Sequence, residues 1–286
     1  MTVLLVGAAG WFGGFLRERL PYAVAVSASD VLSTNGRVLE PLLDGPGAVV
    51  VNAAGARSGD PETMRRLNAE LPGLLVAEVE RVAGHLVHLG SAAEYGPGQP
   101  GGLCVEDAVP APESEYGRSK LAGTMRALDG GRATVLRVFN VAAVPPQAGT
   151  PLADVAERLR FAVGEDRDVE LLSAGTVRDW VRPSFVCASV VQAAQGRTVG
   201  VFNVCSGTGV AMGAAVEAAL RWLGSTRRVV DLAVYPPTTV IGSPDRWRDA
   251  SGLGEALSVD DLGAILGSAV SGAALEQRNK DGGHRW

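Results

Sequence analysis

The sequence predicts an α/β fold built on a doubly wound parallel sheet, with a smaller second lobe formed by the later segments. Three observations carry this expectation. Short apolar runs alternate with helical patterns over the first 140 residues. The runs are continuous rather than alternating polar and apolar, as parallel strands covered on both faces require. A cluster of glycines follows the first run at once and opens a helix.

The strand-like runs are Val3–Val6, Val24–Val26, Ala48–Val51, Leu86–Leu89 and Thr134–Val138. Helical patterns lie between them at Phe15–Leu20, Pro61–Ala83 and Tyr116–Leu128. The second of these starts well, because Asp60 can cap it, Pro61 suits its first position and Gly84 follows its end. Pro72 lies inside it and predicts a kink or break. After Asn140 the texture changes. Val144–Pro151 reads as a loop, Leu152–Val163 as a helix, Val199–Val204 as a strand, Ala211–Leu223 as a helix and Val229–Tyr235 as a strand. Residues 1–150 therefore form one expected domain. Residues 151–286 form mainly a smaller lobe, with some segments returning to the main sheet. Glu276–Trp286 is polar and glycine-rich and reads as a disordered tail.

Composition narrows the function. With 286 residues, 47% hydrophobic and 20% charged, the chain can bury a sizeable core without disulfides or metal. The formal charge of −5 argues against a nucleic-acid footprint, while local arginines can still serve anionic substrates. Cys104, Cys187 and Cys205 are odd in number and not spaced as a metal knuckle, so they read as buried free thiols. His85, His88 and His284 do not group with other ligands, and no metal is expected. No signal peptide is recognisable, and no apolar run approaches the roughly 18 residues of a membrane span. A soluble, cytoplasmic protein is the expectation.

The glycine cluster is the first chemical motif. Gly7, Gly10 and Gly13 are spaced GxxGxxG between a strand and a helix. Glycine there lets the backbone turn tightly and approach a pyrophosphate, and the helix N-terminus offers free N–H groups. This arrangement is that of a Rossmann-type dinucleotide site, with Trp11 and Phe12 within the same turn. A carboxylate ending the second strand binds the adenosine ribose and favours NAD. Asp30 lies close to the expected spacing, but Ser27 ends the strand in another register and tolerates NADP. The cofactor is therefore NAD or NADP. In the fourth-strand segment Val49–Gly55, the small residues Ala53, Ala54 and Gly55 allow a cofactor to lie against the strand tips.

The second motif is catalytic. Tyr116 and Lys120 form YxxxK, and positions i and i+4 share one helix face. A tyrosine with an ammonium one turn away can pass a proton to or from an alcohol or carbonyl oxygen. Ser91 ends the apolar run His85–Gly90, at the carboxyl end of a strand where ligands bind in such sheets. A serine there can hydrogen-bond the reacting oxygen.

Together these residues resemble an extended short-chain dehydrogenase/reductase of the NAD-dependent epimerase/dehydratase family of nucleotide-sugar enzymes. The resemblance rests on Gly7, Gly10, Gly13, Asn52–Gly55, Ser91 with Tyr95-Gly96, Tyr116 with Lys120, and Leu136–Asn140. It extends through Arg178–Val181 and Val201–Val204. It implies that Ser91 and Tyr116 polarise and protonate the reacting oxygen, and that Lys120 holds the nicotinamide ribose. Asn140 is implied near the sugar diphosphate, Phe139 at the cofactor, and Asn68 as a support on the helix after the fourth strand. Arg178 and Arg246 are candidates for the nucleotide diphosphate, since an arginine fork matches phosphate. Glu94 completes the candidate substrate set. Family members often dimerise, so a homodimer is implied.

Departures from the family sharpen the expected reaction. Dehydratases follow the serine or threonine with an Asp-Glu pair, and this chain has Ala92-Ala93. Ser184 and Phe185 replace an acidic pair after the Arg-Asp-aromatic motif. The stretch between Val26 and Ala48 is short, as in compact dTDP-4-keto-sugar reductases. An NDP-sugar 4-ketoreductase is the leading expectation. An epimerase with tightly held NAD and a reductase of a non-sugar carbonyl are the alternatives. A dinucleotide-binding regulatory module without turnover is a third class, and it would need none of Ser91, Tyr116 and Lys120.

Overall fold

The computed structural model describes residues 2–98 and 101–281, with side chains as far as residue 272. The chain begins with β1 (Val3–Val6), α1 (Trp11–Arg19), β2 (Val24–Val26), α2 (Ala28–Ser33) and β3 (Val49–Asn52). Helices α3 (Pro61–Arg65) and α4 (Leu71–Arg81) lead to β4 (His85–Ser91), α5 (Glu115–Leu128), β5 (Ala133–Val138) and β6 (Asn140–Val141). The later part holds α6 (Pro151–Gly164), β7 (Val169–Leu171), β8 (Val177–Val181), α7 (Pro183–Gly196), β9 (Gly200–Val204) and β10 (Gly209–Ala211). It ends with α8 (Met212–Trp222), β11 (Val229–Asp231), β12 (Thr239–Val240), α9 (Asp245–Ser251) and α10 (Val259–Asp281).

The main sheet is six-stranded and parallel, in the order β2-β1-β3-β4-β5-β9. Its strands read as unbroken apolar runs because both faces are covered. Val3, Leu5, Val49 and Val51 pack on one side with Leu16 of α1 and Val186 and Val190 of α7. Leu4, Val6 and Val50 pack on the other with Val31 of α2 and Leu75 and Val79 of α4. The chain order reverses between β1 and β3, and ligands in open α/β sheets bind in the crevice at such a point. Residues 27–47 fold into α2 and one short helical turn with no strand. The segment Val49–Asn52 is therefore the third strand in chain order, not the fourth.

A second core joins α6, β7, α8 and α10 around Trp180, Leu159, Val216 and Leu262. Short strands accompany it: β8 pairs with β10, β12 and β6, and β7 pairs with β11. Strand β9 returns to the main sheet beside β5. The predicted strand Val229–Tyr235 stops at Asp231, because Ala233 turns the backbone to φ +49° and two prolines follow. The tail expectation is corrected for Glu276–Asp281. These residues continue α10, as their run of good helix formers permits, and residues 282–286 lie outside the described residues. His284 lies there too. No helix among the described residues is long and apolar enough to cross a membrane.

Pro72 acts one turn ahead of itself. Asp60 caps α3 by accepting from the Thr63 N–H at 2.8 Å, and Pro61 opens the helix. Proline has no N–H for the carbonyl four residues back, which is that of Asn68. The chain responds with a π turn at Arg66–Glu70 between α3 and α4, and Asn68 sits in it.

Two histidines of β4 are buried in the main sheet. His85 Nε2 lies 2.8 Å from Thr134 Oγ1, and His88 Nδ1 lies 3.1 Å from Asn52 Nδ2. Burial, with Arg197 and Arg132 adding to it, pushes His85 down to about 4 from an ordinary value of 6.5. Burial and then Lys120 hold His88 well below the ordinary range. Below pH 6.5 the unfolded chain thus binds protons that the folded chain refuses, so stability falls as pH drops from 6.5 toward about 4. Thermal melts across that window should show a falling Tm, with a shallower fall for His85→Gln. A Tm that stays level from pH 7 to pH 4.5 would contradict this.

Candidate active site

The turn after β1 is shaped for a diphosphate. Gly7 has φ +88°, and a Cβ there would lie 2.5 Å from the backbone N of Ala54. The tips of β1 and β3 therefore touch through a residue that has no side chain. A Cβ on Gly13 would lie 2.1 Å from the Gly7 carbonyl oxygen, so the helix also packs directly on the turn. Gly10 caps α1 without any side-chain hydrogen bond, and its own N–H donates to Gly7 O at 2.9 Å. The first-turn amides thus have no side-chain acceptor, which suits an anionic ligand. Trp11, Phe12 and Phe15 form an edge-to-face cluster beside the turn, with centroids 5.1 to 6.2 Å apart.

Ser91, Tyr116 and Lys120 are brought together at the ends of β4 and α5. All three line a cleft of about 630 Å³, together with Gly7, Gly10, Trp11, Phe12, Ala53, Ala54, Gly55 and Asn68. Ser91 is 8% exposed and ends β4 by capping a short helical turn, where its Oγ accepts from the Ala93 N–H at 3.2 Å. Lys120 is 5% exposed, and its Nζ donates to the Leu89 carbonyl at 2.5 Å. That bond fixes the ammonium against β4, and no carboxylate pairs with it among the described residues. Tyr116 lies one turn earlier on α5, half-buried. Asn68 ties the parts together. It accepts from the Ala56 N–H at 2.9 Å and donates to Ala56 O at 2.7 Å and Ser119 Oγ at 2.9 Å. The π turn thereby anchors the loop after β3 to the helix that carries Tyr116 and Lys120.

Glu94 corrects the sequence expectation. It is fully buried and does not face the cleft. Its carboxylate accepts from the Ser91 N–H at 2.8 Å, Thr124 Oγ1 at 3.0 Å and Arg137 Nε at 2.8 Å. Burial opposes the Arg137 charge, but Glu94 and Tyr95 outweigh it and hold the guanidinium pKa above its ordinary value. Gly90 makes room for this arrangement, since a Cβ there would stand 2.9 Å from Glu94 Oε1. Arg246 is a second correction. Its guanidinium pairs with Asp107 and lies 3.7 Å from Glu106, outside the cleft lining.

At the second strand the register with serine at the end is the one observed. Ser27 follows Val26 and caps α2, accepting from the Asp30 N–H at 3.4 Å. Asp30 lies in the first turn of that helix, and of this stretch only Ala28 lines the cleft.

The far wall comes from the later segments. Asn140, Arg178, Trp180 and Thr238 line it, with Phe139 at the junction. Arg178 donates from Nη1 to Val177 O at 2.8 Å and Thr238 O at 2.9 Å, and from Nη2 to Thr238 Oγ1 at 2.8 Å. It has no carboxylate partner among the described residues, and burial lowers its pKa. Trp180 is 1% exposed, and its indole N–H has no hydrogen-bond partner among the described residues. Asn140 Nδ2 donates to Asp179 O at 3.1 Å. Among the described residues, the cleft thus presents three cations, Arg57, Lys120 and Arg178, against the single carboxylate of Glu113. In a chain of net charge −5 that local balance selects for anions. Sequence reasoning did not assign Arg57, Glu113 or Thr238. Trp180 could have been found, since it lies two residues from Arg178 on a strand and so shares its face. Among the described residues, no group of three or more His, Cys, Asp or Glu could hold a metal. Cys104, Cys187 and Cys205 are buried, and no disulfide joins them among the described residues.

Two substitutions test this construction. Gly7→Ala forces a Cβ into the Ala54 backbone and should abolish dinucleotide binding in a calorimetric titration, whereas Gly14→Ala, with open space around it, should not. Glu94→Ala leaves Arg137 as a buried uncompensated charge and should cost about 3–5 kcal/mol in urea denaturation. A loss below about 1 kcal/mol would contradict the pairing.

Comparison with known proteins agrees with this geometry. The sequence model of the NAD dependent epimerase/dehydratase family matches residues 3–205. A dTDP-6-deoxy-L-talose 4-dehydrogenase (NAD(P)(+)) of Kitasatospora kifunensis is 35% identical over 170 residues. The match covers 56% of this chain and 54% of that enzyme, so the chain spans about half the length of this relative. Among solved structures, RMD from Pseudomonas aeruginosa, complexed with NADPH, superposes with TM-score 0.77 at 20% identity over 96% of this chain and all of that one. A dTDP-glucose 4,6-dehydratase from Bacillus anthracis in complex with NAD gives 0.78 at 16% identity, over 97% and 98% of the two chains. MoeE5 in complex with UDP-glucuronic acid and NAD gives 0.76 at 18%, over 96% and 100%. At these identities the structures establish a shared fold.

Proposed function

The chain belongs to the NAD dependent epimerase/dehydratase family and is an NAD(P)-dependent enzyme of the extended short-chain type, and from that premise we propose that it reduces the 4-keto group of an NDP-deoxysugar. One observation carries the choice among the family's reactions. Ala92 and Ala93 line the cleft beside Ser91, where removal of water would need carboxyl groups. The same cleft retains a serine, a tyrosine and a lysine suited to proton transfer. The name of the Kitasatospora relative describes oxidation at a sugar C4, the reverse of the proposed step.

In this reading Gly7, Gly10, Gly13 and the first turn of α1 hold the cofactor diphosphate, with Trp11, Phe12 and Phe139 against its flanks. Ala53, Ala54 and Gly55 leave room for it at the β3 tip. Lys120 holds the nicotinamide ribose through the N–H donors that Leu89 does not use. Ser27 in place of a carboxylate tolerates a ribose 2′-phosphate as well as a hydroxyl. The reduced dinucleotide, when bound, supplies the hydride. Ser91 Oγ hydrogen-bonds the carbonyl oxygen and polarises it. Tyr116 transfers its phenolic proton to that oxygen as the carbon accepts the hydride, and the product is the C4 alcohol. Arg178 takes the nucleotide diphosphate at the far wall, with Asn140 on the same lining. Residues 1–150 provide the dinucleotide-binding side and residues 151–286 most of the substrate side.

The test is consumption of NADH or NADPH with a panel of NDP-4-keto-6-deoxysugars. Wild type should oxidise the dinucleotide with at least one of them. Tyr116→Phe should lower kcat by about 10² to 10⁴, the usual contribution of a positioned proton donor, with dinucleotide affinity unchanged. Interconversion of sugar epimers without added dinucleotide, using copurified NAD, would assign an epimerase instead.

A further inference from the structure

Arg57 stands apart from the cations already assigned. It lies on the loop after β3, two residues past Gly55, and its guanidinium carbon sits 4.9 Å from the centroid of the Tyr116 ring. It lines the cleft, and among the described residues it makes neither a hydrogen bond nor an ion pair. Its exposure does not explain this. Arg65 on the neighbouring α3 is also exposed and pairs with Glu62 at 2.7 Å. Glu113 lines the same cleft and is not paired with Arg57. All five N–H donors of a rigid planar fork therefore remain available beside the reacting tyrosine. Cation–π contact with a ring uses the face of the guanidinium and leaves its edges open.

The loop gives this fork a definite place. Ala54 touches the phosphate turn at Gly7, and a Cβ on Gly55 would be 4.0 Å from Lys120 Nζ. Asn68 clamps Ala56 by two hydrogen bonds. Arg57 thus projects from an anchored segment at the tyrosine end of the cleft. Arg178 serves the opposite wall, where Thr238 already occupies part of its fork.

We propose that Arg57 is a second anion-binding arginine of the cleft, which takes a phosphate or carboxylate oxygen pair lying beside the Tyr116 ring. The oxyanion belongs either to the dinucleotide or to the substrate. The residue forms no bond in the reaction. Its role is specificity, added to the proposed function and resting on the cofactor site of the family.

Titration calorimetry separates the two sources. The probes are NADH and NADPH on the free protein, then dTDP-glucose on the protein saturated with dinucleotide. Arg57→Leu removes the charge, and Arg57→Lys keeps it without the fork. Loss of a charge-assisted bond should weaken one probe by about tenfold to a hundredfold in Arg57→Leu, with partial recovery in Arg57→Lys. Weakening of the dinucleotide assigns its diphosphate as the ligand. Weakening of dTDP-glucose alone assigns the substrate. Affinities for both probes within twofold of wild type would overturn the proposal, also if kcat falls, because a fall in kcat alone marks a packing role on Tyr116. If wild type binds no sugar nucleotide, the ketoreductase reading fails, and the dinucleotide titration alone decides the role of Arg57.

Discussion

The site hangs on one buried carboxylate. Glu94 holds the backbone of Ser91 at the end of β4, the hydroxyl of Thr124 on α5 and the guanidinium of Arg137 on β5. Three successive elements are thus fixed around a single anion. A buried ion pair contributes little net stability against an apolar substitute, because both charges are desolvated. What it supplies is position: the Ser91 turn has one arrangement in which every donor around Glu94 is satisfied. Arg137 extends the constraint by lying 4.7 Å over the Tyr95 ring, and Tyr95 in turn donates to Asn203 of β9 at 2.8 Å. Helix α5 and the serine of β4 are therefore held by this polar core together with the Lys120–Leu89 bond.

Around that core the chain divides its charges. The surface is net acidic, yet the cleft lining is cationic, and two of its arginines meet no carboxylate. The phosphate turn adds backbone N–H groups and an uncapped helix start without any charged side chain. These features favour anionic ligands in the cleft.

Much of this was legible in the sequence, for physical reasons that differ by element. Strands β1 and β2 matched to the residue, because unbroken apolar runs between turn signals have few other solutions in a covered sheet. The glycine turn and the YxxxK helix were legible because a close backbone approach and an i, i+4 face leave a fixed spacing. Short strands such as β6, β10 and β12 were not, since two or three residues carry no periodicity. The π turn escaped because Pro72 signals a defect without stating its form. Glu94 and Arg246 were placed wrongly for one reason: a charged residue near a motif reads as facing the ligand. Only the fold shows that Arg137 and Asp107 claim those charges first. Arg57 was invisible because its meaning depends on Tyr116, which lies on a different element.

The proposed reaction is hydride reduction of a carbonyl by the site that holds Ser91, Tyr116 and Lys120. Its most direct measurement is isotope transfer from a reduced dinucleotide deuterated at both nicotinamide C4 positions to an NDP-4-keto-6-deoxysugar. The product should carry one deuterium on sugar C4 with wild type, and should be lost in Tyr116→Phe. Deuterium absent from the sugar carbon while the keto sugar is consumed, or transfer undiminished in Tyr116→Phe, would contradict it.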